Sequence, residues 1–468
     1  MGAELATPCP GCQRLQEEIQ SLRAAVAQLQ EQLAAARKDS STSSKPPSSD
    51  IVKPAKPSAG PGAAPRQRGG QPGHAKHERA PFLPEQVTLF AEHPLHACPC
   101  CGGPLRRNGG LVRVVQQVDF QQPPLTIEQH TSPEYWCEHC ARPYKAALPA
   151  AIEAGGLLGP RLTALVAYLK GVCHASFSTV RKFLRDVVGV TISRGQLAKV
   201  IAKVSQALEG PYQELLAALP GQERLNVDET GHKDQGVPLW TWCFRAELYT
   251  LFKIDPRRSA DVLLEVLGAE FDGVLGCDCF SAYRRYMRQC DVVIQFCLAH
   301  LIRDVKFLLT LPGRHDRAYG QRLCDALRAL FGLIHRRDQV PASRFPALLA
   351  AARDAVLRAG TEDVPAGRHA QRMAKRLRTY GASYFTFVTT PGVEPTNNLA
   401  EQAIRFVVID RHITQGTRGA AGQRWCERIW SVLATCAQQG RSAWGYLQEA
   451  VQAHFDGRPA PSLLPAEN

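Results

Sequence analysis

The chain has 468 residues and a formal net charge of +13, enough length for a sizeable core and two or more domains. No apolar run reaches the roughly 18 residues of a membrane span, and the N-terminus lacks a signal-peptide pattern. These features exclude a membrane partner and predict a soluble, cytoplasmic protein, while the basic excess suits a phosphate polyanion such as nucleic acid. Of the sixteen cysteines, some stand singly in apolar runs, as Cys173, Cys243 and Cys436 do, and read as buried thiols. Others form Cys-x-x-Cys pairs, which in a reducing compartment point to metal rather than disulfides.

In residues 1–37, Leu15, Ile19, Leu22, Val26, Leu29 and Leu33 alternate steps of four and three, a heptad seam flanked by Gln, Glu and Arg. No other core lies nearby to cover the stripe, so a dimeric coiled coil is expected over a lone amphipathic helix. Cys9 and Cys12 stand just before it, as an unmatched pair or as half of a metal site across the dimer. Residues 38–81 change to Ser, Pro, Gly, Lys and Arg and read as a flexible tether. Arg66 and Arg68 either resemble arms that enter a minor groove or belong to a plain solvated linker.

Residues 82–150 carry two knuckles, Cys98/Cys101 and Cys137/Cys140, with the spacing of tetrahedral thiolate coordination of Zn²⁺. A strand-like run at 111–118 between them suits a zinc ribbon, and Cys100 is a spare candidate ligand. Four thiolates leave no open position, so this metal would be structural. Residues 151–220 read as helical, with one helix at 178–188, a turn at 189–192 and a second helix capped by Ser193. The second helix bears Arg194, Gln196, Lys199 and Lys203. A DNA-binding helix-turn-helix and ordinary helical packing are both open there.

Residues 221–420 alternate strand and helix. A short strand ends at Asp228, two strands follow at 239–246 and 248–254, and a helix capped by Ser259 runs to 267. The next strand ends at Asp278, a short helix lies near 283–287, and a fifth strand spans 292–296. Three strands, helix, strand, helix, strand is the order of the ribonuclease-H-like fold, a mixed sheet with helices on both faces. Cys297 and His300 stand at the exit of the fifth strand, where they either pack the core or serve a site. Amphipathic, Arg-rich helices fill about 301–380 as an insertion. Pro395 and Thr396 then read as the entry of a helix carrying Glu401, with Leu399, Ala403 and Ile404 on its buried face. Two asparagines sit just ahead of Glu401, and a carboxylate beside amides suits Mg²⁺; a surface Glu401/Arg405 pair is the plainer alternative. Residues 421–468 complete the chain as a helical C-terminal region.

Four separated phrases resemble the insertion sequence 66 family of transposases. They are Ser43-Ser44-Lys45-Pro46-Pro47-Ser48-Ser49-Asp50, Gly69-Gly70-Gln71-Pro72-Gly73-His74, Gln295-Phe296-Cys297-Leu298-Ala299-His300-Leu301 and Glu394-Pro395-Thr396-Asn397-Asn398-Leu399-Ala400-Glu401. Cys279-Phe280 stands after Asp278 where the family commonly has Gly-Tyr. The resemblance implies a multidomain α/β protein with a coiled coil, a zinc ribbon and a ribonuclease-H-like domain. It implies that Asp228, Asp278 and Glu401 are the acidic triad of a DDE transposase, holding two Mg²⁺ (or Mn²⁺) for DNA cleavage and strand transfer. Element ends and target DNA would be the partners, met by Arg66, Arg68, Arg194, Lys199, Arg405, Arg411 and Arg418. A homodimer or higher oligomer and small accessory proteins of the same element are implied as well. A nuclease or resolvase on the same fold, or an idle transposase-derived regulator, are the alternatives. Strand alternation turns Glu229 away from Asp228, so Glu229 and Asp272 are expected to be dispensable.

Overall fold

The computed structural model describes residues 9–39, 41–42, 83–87, 100, 125–130, 132, 134–137, 142–145, 149, 151–152 and 156–465. Residues 1–54 and 130–468 form one compact unit and residues 55–129 a second, in which a single 3-10 turn, Pro84–Gln86, is described. The expected strand at 111–118 lies outside the described residues. A 27-residue helix, α1 (Pro10–Ala36), spans the heptad region. All six apolar residues of its seam are 45–63 % exposed. Next comes a short antiparallel hairpin, β1 (Glu134–Cys137) with β2 (Arg142–Lys145).

Four helices precede the main sheet: α2 (Pro160–Gly171), α3 (Phe177–Phe183), α4 (Arg194–Ala207) and α5 (Glu209–Ala218). The helix expected over 178–188 is divided, because α3 passes into a π-helical turn at Leu184–Val188 that Gly189 closes in the left-handed region. Ser193 caps α4 as expected, in a reciprocal capping box with Gln196.

The sheet has five strands, β3 (Arg224–Asp234), β4 (Val237–Arg245), β5 (Thr250–Asp255), β6 (Val274–Cys277) and β7 (Val293–Phe296). Their order is β5-β4-β3-β6-β7, antiparallel from β5 to β3 and parallel from β3 to β7. Helix α6 (Ala260–Leu267) links β5 to β6, and α7 (Ser281–Cys290) links β6 to β7. One expectation fails at β3. The strand does not end at Asp228 but runs on to Asp234, because residues 229–234 continue the ladder with β4. Gln235 and Gly236 make that hairpin turn with φ of 52° and 87°, the left-handed pair a tight two-residue turn demands.

The insertion comprises α8 (Leu298–Leu308), α9 (Arg314–His335), α10 (Phe345–Thr361) and α11 (Arg368–Tyr380), followed by one turn, α12 (Thr386–Thr389). Helix α13 (Asn398–Thr414) carries Glu401; α14 (Ala420–Gln438) and α15 (Ala443–Phe455) end the chain. The N-cap of α13 is Asn397, not Thr396, and its buried face is Ala400, Ile404 and Val407 while Leu399 is exposed.

Edge strand β5 would leave a row of unpaired amides open to association. Helix α14 closes it. The backbone N–H groups of Thr250, Phe252 and Ile254 donate to Thr435 Oγ1, Ser431 Oγ and Glu427 Oε1 at 3.2, 2.9 and 2.7 Å. Four-residue steps on a helix and two-residue steps on a strand cover nearly the same length, so one helix face matches alternate strand amides. At the opposite edge, Gln295 on β7 donates to Tyr384 O at 2.9 Å and accepts from Phe387 N at 2.9 Å. The sheet is therefore bonded on both flanks, with β3 beside β6 between them.

Candidate active site

β3 and β6 are parallel, with Asn226 opposite Gly276. Two residues further along each chain stand Asp228, still within β3, and Asp278, just past the end of β6, and Asp278 is among the charges that act on Asp228. Asp278 follows the last residue of β6 and accepts the Phe280 amide at 2.9 Å, a local bond that fixes its carboxylate at the entry to α7. Gly276 allows this arrangement. A Cβ there would fall 2.5 Å from Asn226 Nδ2, which occupies that space. The same Nδ2 donates to Asn397 Oδ1 at 2.9 Å, and Asn397 Nδ2 donates to Val227 O at 2.8 Å. The N-terminus of α13 is thus tied to β3 beside Asp228, and Glu401 sits in its first turn.

Negative charge is crowded here. Burial, then Glu229, Asp278 and Glu401, push the Asp228 carboxyl well above the ordinary range. Asp278 is raised to about 7, chiefly by burial and by Glu229, with the Phe280 amide and Arg258 pulling the other way. Asp304 on α8 also raises it. These carboxylates share one field that Arg258 and Arg303 offset only in part, through Glu229 and Glu401, a setting that suits hard divalent cations.

Glu401 itself is turned toward α8. Its Oε1 accepts from Arg303 Nη2 at 3.2 Å and lies 3.6 Å from His300 Nδ1. The Glu401/Arg405 surface pair is not formed; Arg405 is exposed and Glu401 is paired across helices instead. Cys297, at the N-cap of α8, accepts the Asn397 amide at 3.2 Å and is buried. Among the described residues, Cys297, His300 and Glu401 are the group whose donor atoms of metal-binding type all lie within 4.8 Å of one another. Burial, with Arg303 and Arg376, lowers the His300 pKa to about 3.

Glu229 is not a bystander. It is buried on the face opposite Asp228, where Arg258 donates to its Oε1 at 2.7 and 2.9 Å and Tyr283 donates to its Oε2. Arg258 is in turn stacked over Trp240 and Phe280, 4.3 and 4.1 Å from the ring centroids. Phe280, in the departure from the family phrase, therefore roofs the pair that backs Asp278. Asp272 is exposed, as a dispensable residue would be.

Residues 155–424 match the description "Transposase IS66 family", more than half of the chain. The chain belongs to the IS66 family of transposases. Two further matches precede the transposase match: a family of unknown function at residues 6–80, and a zinc-finger binding domain of transposase IS66 at 96–141. An uncharacterized protein, y4jD, of Sinorhizobium fredii (strain NBRC 101917 / NGR234) is 22 % identical over 405 residues. That similarity covers 80 % of this chain and 78 % of the relative. The zinc-finger match of this IS66 transposase spans Cys98, Cys101, Cys137 and Cys140. Of these, Cys98, Cys101 and Cys140 lie outside the described residues, and Cys137 is placed on β1 by its backbone. Arg66 and Arg68 lie outside them too.

The remaining basic candidates divide by exposure. Arg194 and Lys199 are exposed on α4, and Arg405 and Arg418 are exposed on and beyond α13. Arg411 is different: it donates to Thr230 Oγ1 at 3.1 Å, and burial lowers its pKa, so it braces β3. Lys203 lies over the Phe455 ring at 4.9 Å and serves packing. Asn226, Arg303 and Asp304 were not singled out from the sequence, and Asn397 was noted only as an amide near Glu401, not as a tie to β3. The paired asparagines before Glu401 were the available signal for Asn397. Nothing local marked the others, whose roles depend on contacts across the fold. No described helix is long and apolar enough to cross a membrane.

Proposed function

We propose that this transposase binds the ends of an insertion sequence and catalyses metal-dependent DNA cleavage and strand transfer with Asp228, Asp278 and Glu401. The observation that supports the reading is the parallel β3/β6 ladder, with each aspartate two residues past its Asn226/Gly276 pair, together with the Asn397 tie before Glu401. The strand order, with its antiparallel half and its parallel half, supports a ribonuclease-H-like catalytic domain interrupted by α8–α11.

The donor set fits a hard cation. Burial first, and neighbouring carboxylates after it, raise Asp228 and Asp278, a setting that a bound cation would relieve, and all three candidate ligands are oxygen donors. Two Mg²⁺ (or Mn²⁺) ions would activate the attacking oxygen and stabilise the leaving one in an in-line displacement. The chain's own residues do the positioning. Phe280 N–H would hold Asp278 with the Arg258 charge acting on it, and Asn397 would fix the helix entry before Glu401. Water would be the first nucleophile, at the element end, and the freed 3′-hydroxyl the second, at target DNA. Exposed Arg194, Lys199 and Arg405 would meet phosphates, contacts that position DNA without reading its sequence.

The N-terminal zinc-finger region would hold one structural Zn²⁺ through Cys98, Cys101, Cys137 and Cys140. Dimerisation along α1 would pair two catalytic units at two element ends. The test is strand transfer with labelled end DNA and Mg²⁺. Cleavage with joining supports the reading, cleavage without joining a nuclease or resolvase, and binding alone a regulator.

A further inference from the structure

We propose that Cys297, His300 and Glu401 form a second, softer metal site that takes Zn²⁺ and withdraws Glu401 from the acidic triad. The consequence for catalysis rests on the triad reading above; the metal site itself does not.

The argument starts from donor chemistry. A thiol, an imidazole and a carboxylate are a borderline-soft set, suited to Zn²⁺ and foreign to Mg²⁺. Cys297 and His300 stand three positions apart at the start of α8, so both side chains project from the same end and face of one helix. Their donor atoms and a Glu401 oxygen lie within 4.8 Å of one another. Tetrahedral coordination needs ligands roughly 3.3–3.8 Å apart, so side-chain rotations of about 1 Å close the set.

Two further observations point into the same space. His300 Nδ1 is buried without a hydrogen-bond partner, 3.6 Å from Glu401 Oε1. A buried polar atom left unpaired is uncommon and calls for an explanation. Cys297 Sγ receives the Asn397 amide at 3.2 Å, and the amides of Ala299 and His300 also bond to it. Burial is the largest influence on Cys297 and raises its pKa; these amides work the other way, toward the thiolate that binds metal. Arg303 meanwhile places a single positive charge against Glu401 Oε1. On binding, Zn²⁺ forms bonds to Cys297 Sγ, His300 Nδ1 and Glu401, the thiol proton leaves to solvent, and Arg303 releases the carboxylate. Three protein ligands leave a fourth position for water.

The experiment uses the full chain with its N-terminal zinc in place and Co²⁺ as the probe. Added Co²⁺ should give a thiolate-to-cobalt charge-transfer band at one equivalent. Cys297→Ser and His300→Ala should lose that band, Glu401→Gln should weaken binding at least about tenfold, and Asp278→Asn should keep it. Circular dichroism matching that of the parent chain establishes that the variants are folded. A band that survives in both Cys297→Ser and His300→Ala, or no band in the parent chain, overturns the proposal. Zn²⁺ should also suppress Mg²⁺-dependent cleavage by the parent chain and spare that by Cys297→Ser. If the band behaves as expected while Glu401→Gln still cleaves DNA, the metal site stands and the triad reading fails.

Discussion

The side-chain amide of Asn397 donates to the carbonyl of Val227 at 2.8 Å, joining two residues 170 positions apart in sequence. This bond, with the one from Asn226 to Asn397 Oδ1 at 2.9 Å, sets where the helix bearing Glu401 begins relative to the strand bearing Asp228. It replaces helix capping: Asn397 is the N-cap residue of α13, yet its side chain makes no cap bond and reaches into the sheet instead. Asn397→Ala leaves Val227 O and Asn226 Nδ2 without these partners, which costs about 1–3 kcal/mol. The expected outcome is a lowered denaturant midpoint and a larger loss of cleavage than of end-DNA binding. Parent-like cleavage by this variant would sink the positioning role.

Glu229 provides a second test, because sequence and structure disagree about it. Strand alternation correctly turns it away from Asp228, but that face is the interior. There it holds Arg258 and Tyr283 behind Asp278. Breaking one partner of a buried ion pair typically costs about 3–5 kcal/mol. Arg258 is about one-third exposed, so the lower part of that range applies here. Glu229→Gln should therefore lower the unfolding midpoint and reduce cleavage, whereas Asp272→Asn should change neither. Equal behaviour of the two variants in thermal melts would contradict this account.

The crowded carboxylates predict a dependence on pH with a definite sign. Asp228 and Asp278 have pKa values raised by folding, Asp278 to about 7. Between about pH 4 and that value the folded chain binds more protons than the unfolded one, so this contribution to stability is complete at the acid end and lost as pH rises through 7. Metal-free protein should thus lose stability from this cluster between about pH 5 and about pH 8, with Mg²⁺ restoring it at the upper end. Asp278→Asn should flatten the profile and melt higher than the parent in chelator at about pH 8. Melting temperatures with and without Mg²⁺ across this range check it; a parent chain indifferent to Mg²⁺ at the alkaline end would refute it.

The N-terminal helix supplies a prediction about assembly. Leu15, Ile19, Leu22, Val26, Leu29 and Leu33 are at least 45 % exposed along α1, an apolar seam left open among the described residues. A second copy of the helix covers such a seam by knobs-into-holes packing. Leu22→Lys with Leu29→Lys should shift the full-length protein toward monomer in light scattering while leaving its circular dichroism nearly unchanged. A parent chain already monomeric at the same concentration would remove the coiled coil from the reading.

Much of the fold was legible because its signals are local. The order of strands and helices followed from apolar runs and their breaks, and Ser193 announced α4 by its own side chain. The end of β3 was misjudged because Asp228 and Glu229 look like a polar terminus, whereas pairing with β4 carries the strand to Asp234. Thr396 was a reasonable cap by residue type, but the chain places Asn397 there for bonds to another element. The support around the triad was the least legible part. Arg303, Asp304 and Asn226 acquire meaning only when α8, α13 and β3 meet, and single-sequence periodicity carries no information on such meetings. Glu427, Ser431 and Thr435 are an intermediate case: their four-residue spacing was visible, but not the strand edge that it serves.

The last prediction tests the catalytic assignment directly. If Asp228, Asp278 and Glu401 hold the metals, each supplies a negative charge that an amide of the same shape does not. Asp228→Asn, Asp278→Asn and Glu401→Gln should each abolish Mg²⁺-dependent cleavage and joining, a loss of at least about three orders of magnitude, or roughly 4 kcal/mol in the barrier. Removing charge from the crowded aspartates should not unfold the protein, so melts of Asp228→Asn and Asp278→Asn in chelator should match or exceed those of the parent. Glu401→Gln, by contrast, gives up the ion pair with Arg303 and should melt slightly lower. End-DNA binding should persist, since it depends on phosphate contacts made elsewhere, and it should weaken with salt in the variants as in the parent. Glu394 is the decisive control. It is exposed, seven positions before Glu401 and outside α13, so Glu394→Gln should cleave normally. Normal cleavage by Glu401→Gln combined with inactive Glu394→Gln would move the glutamate of the triad and detach α13 from the chemistry.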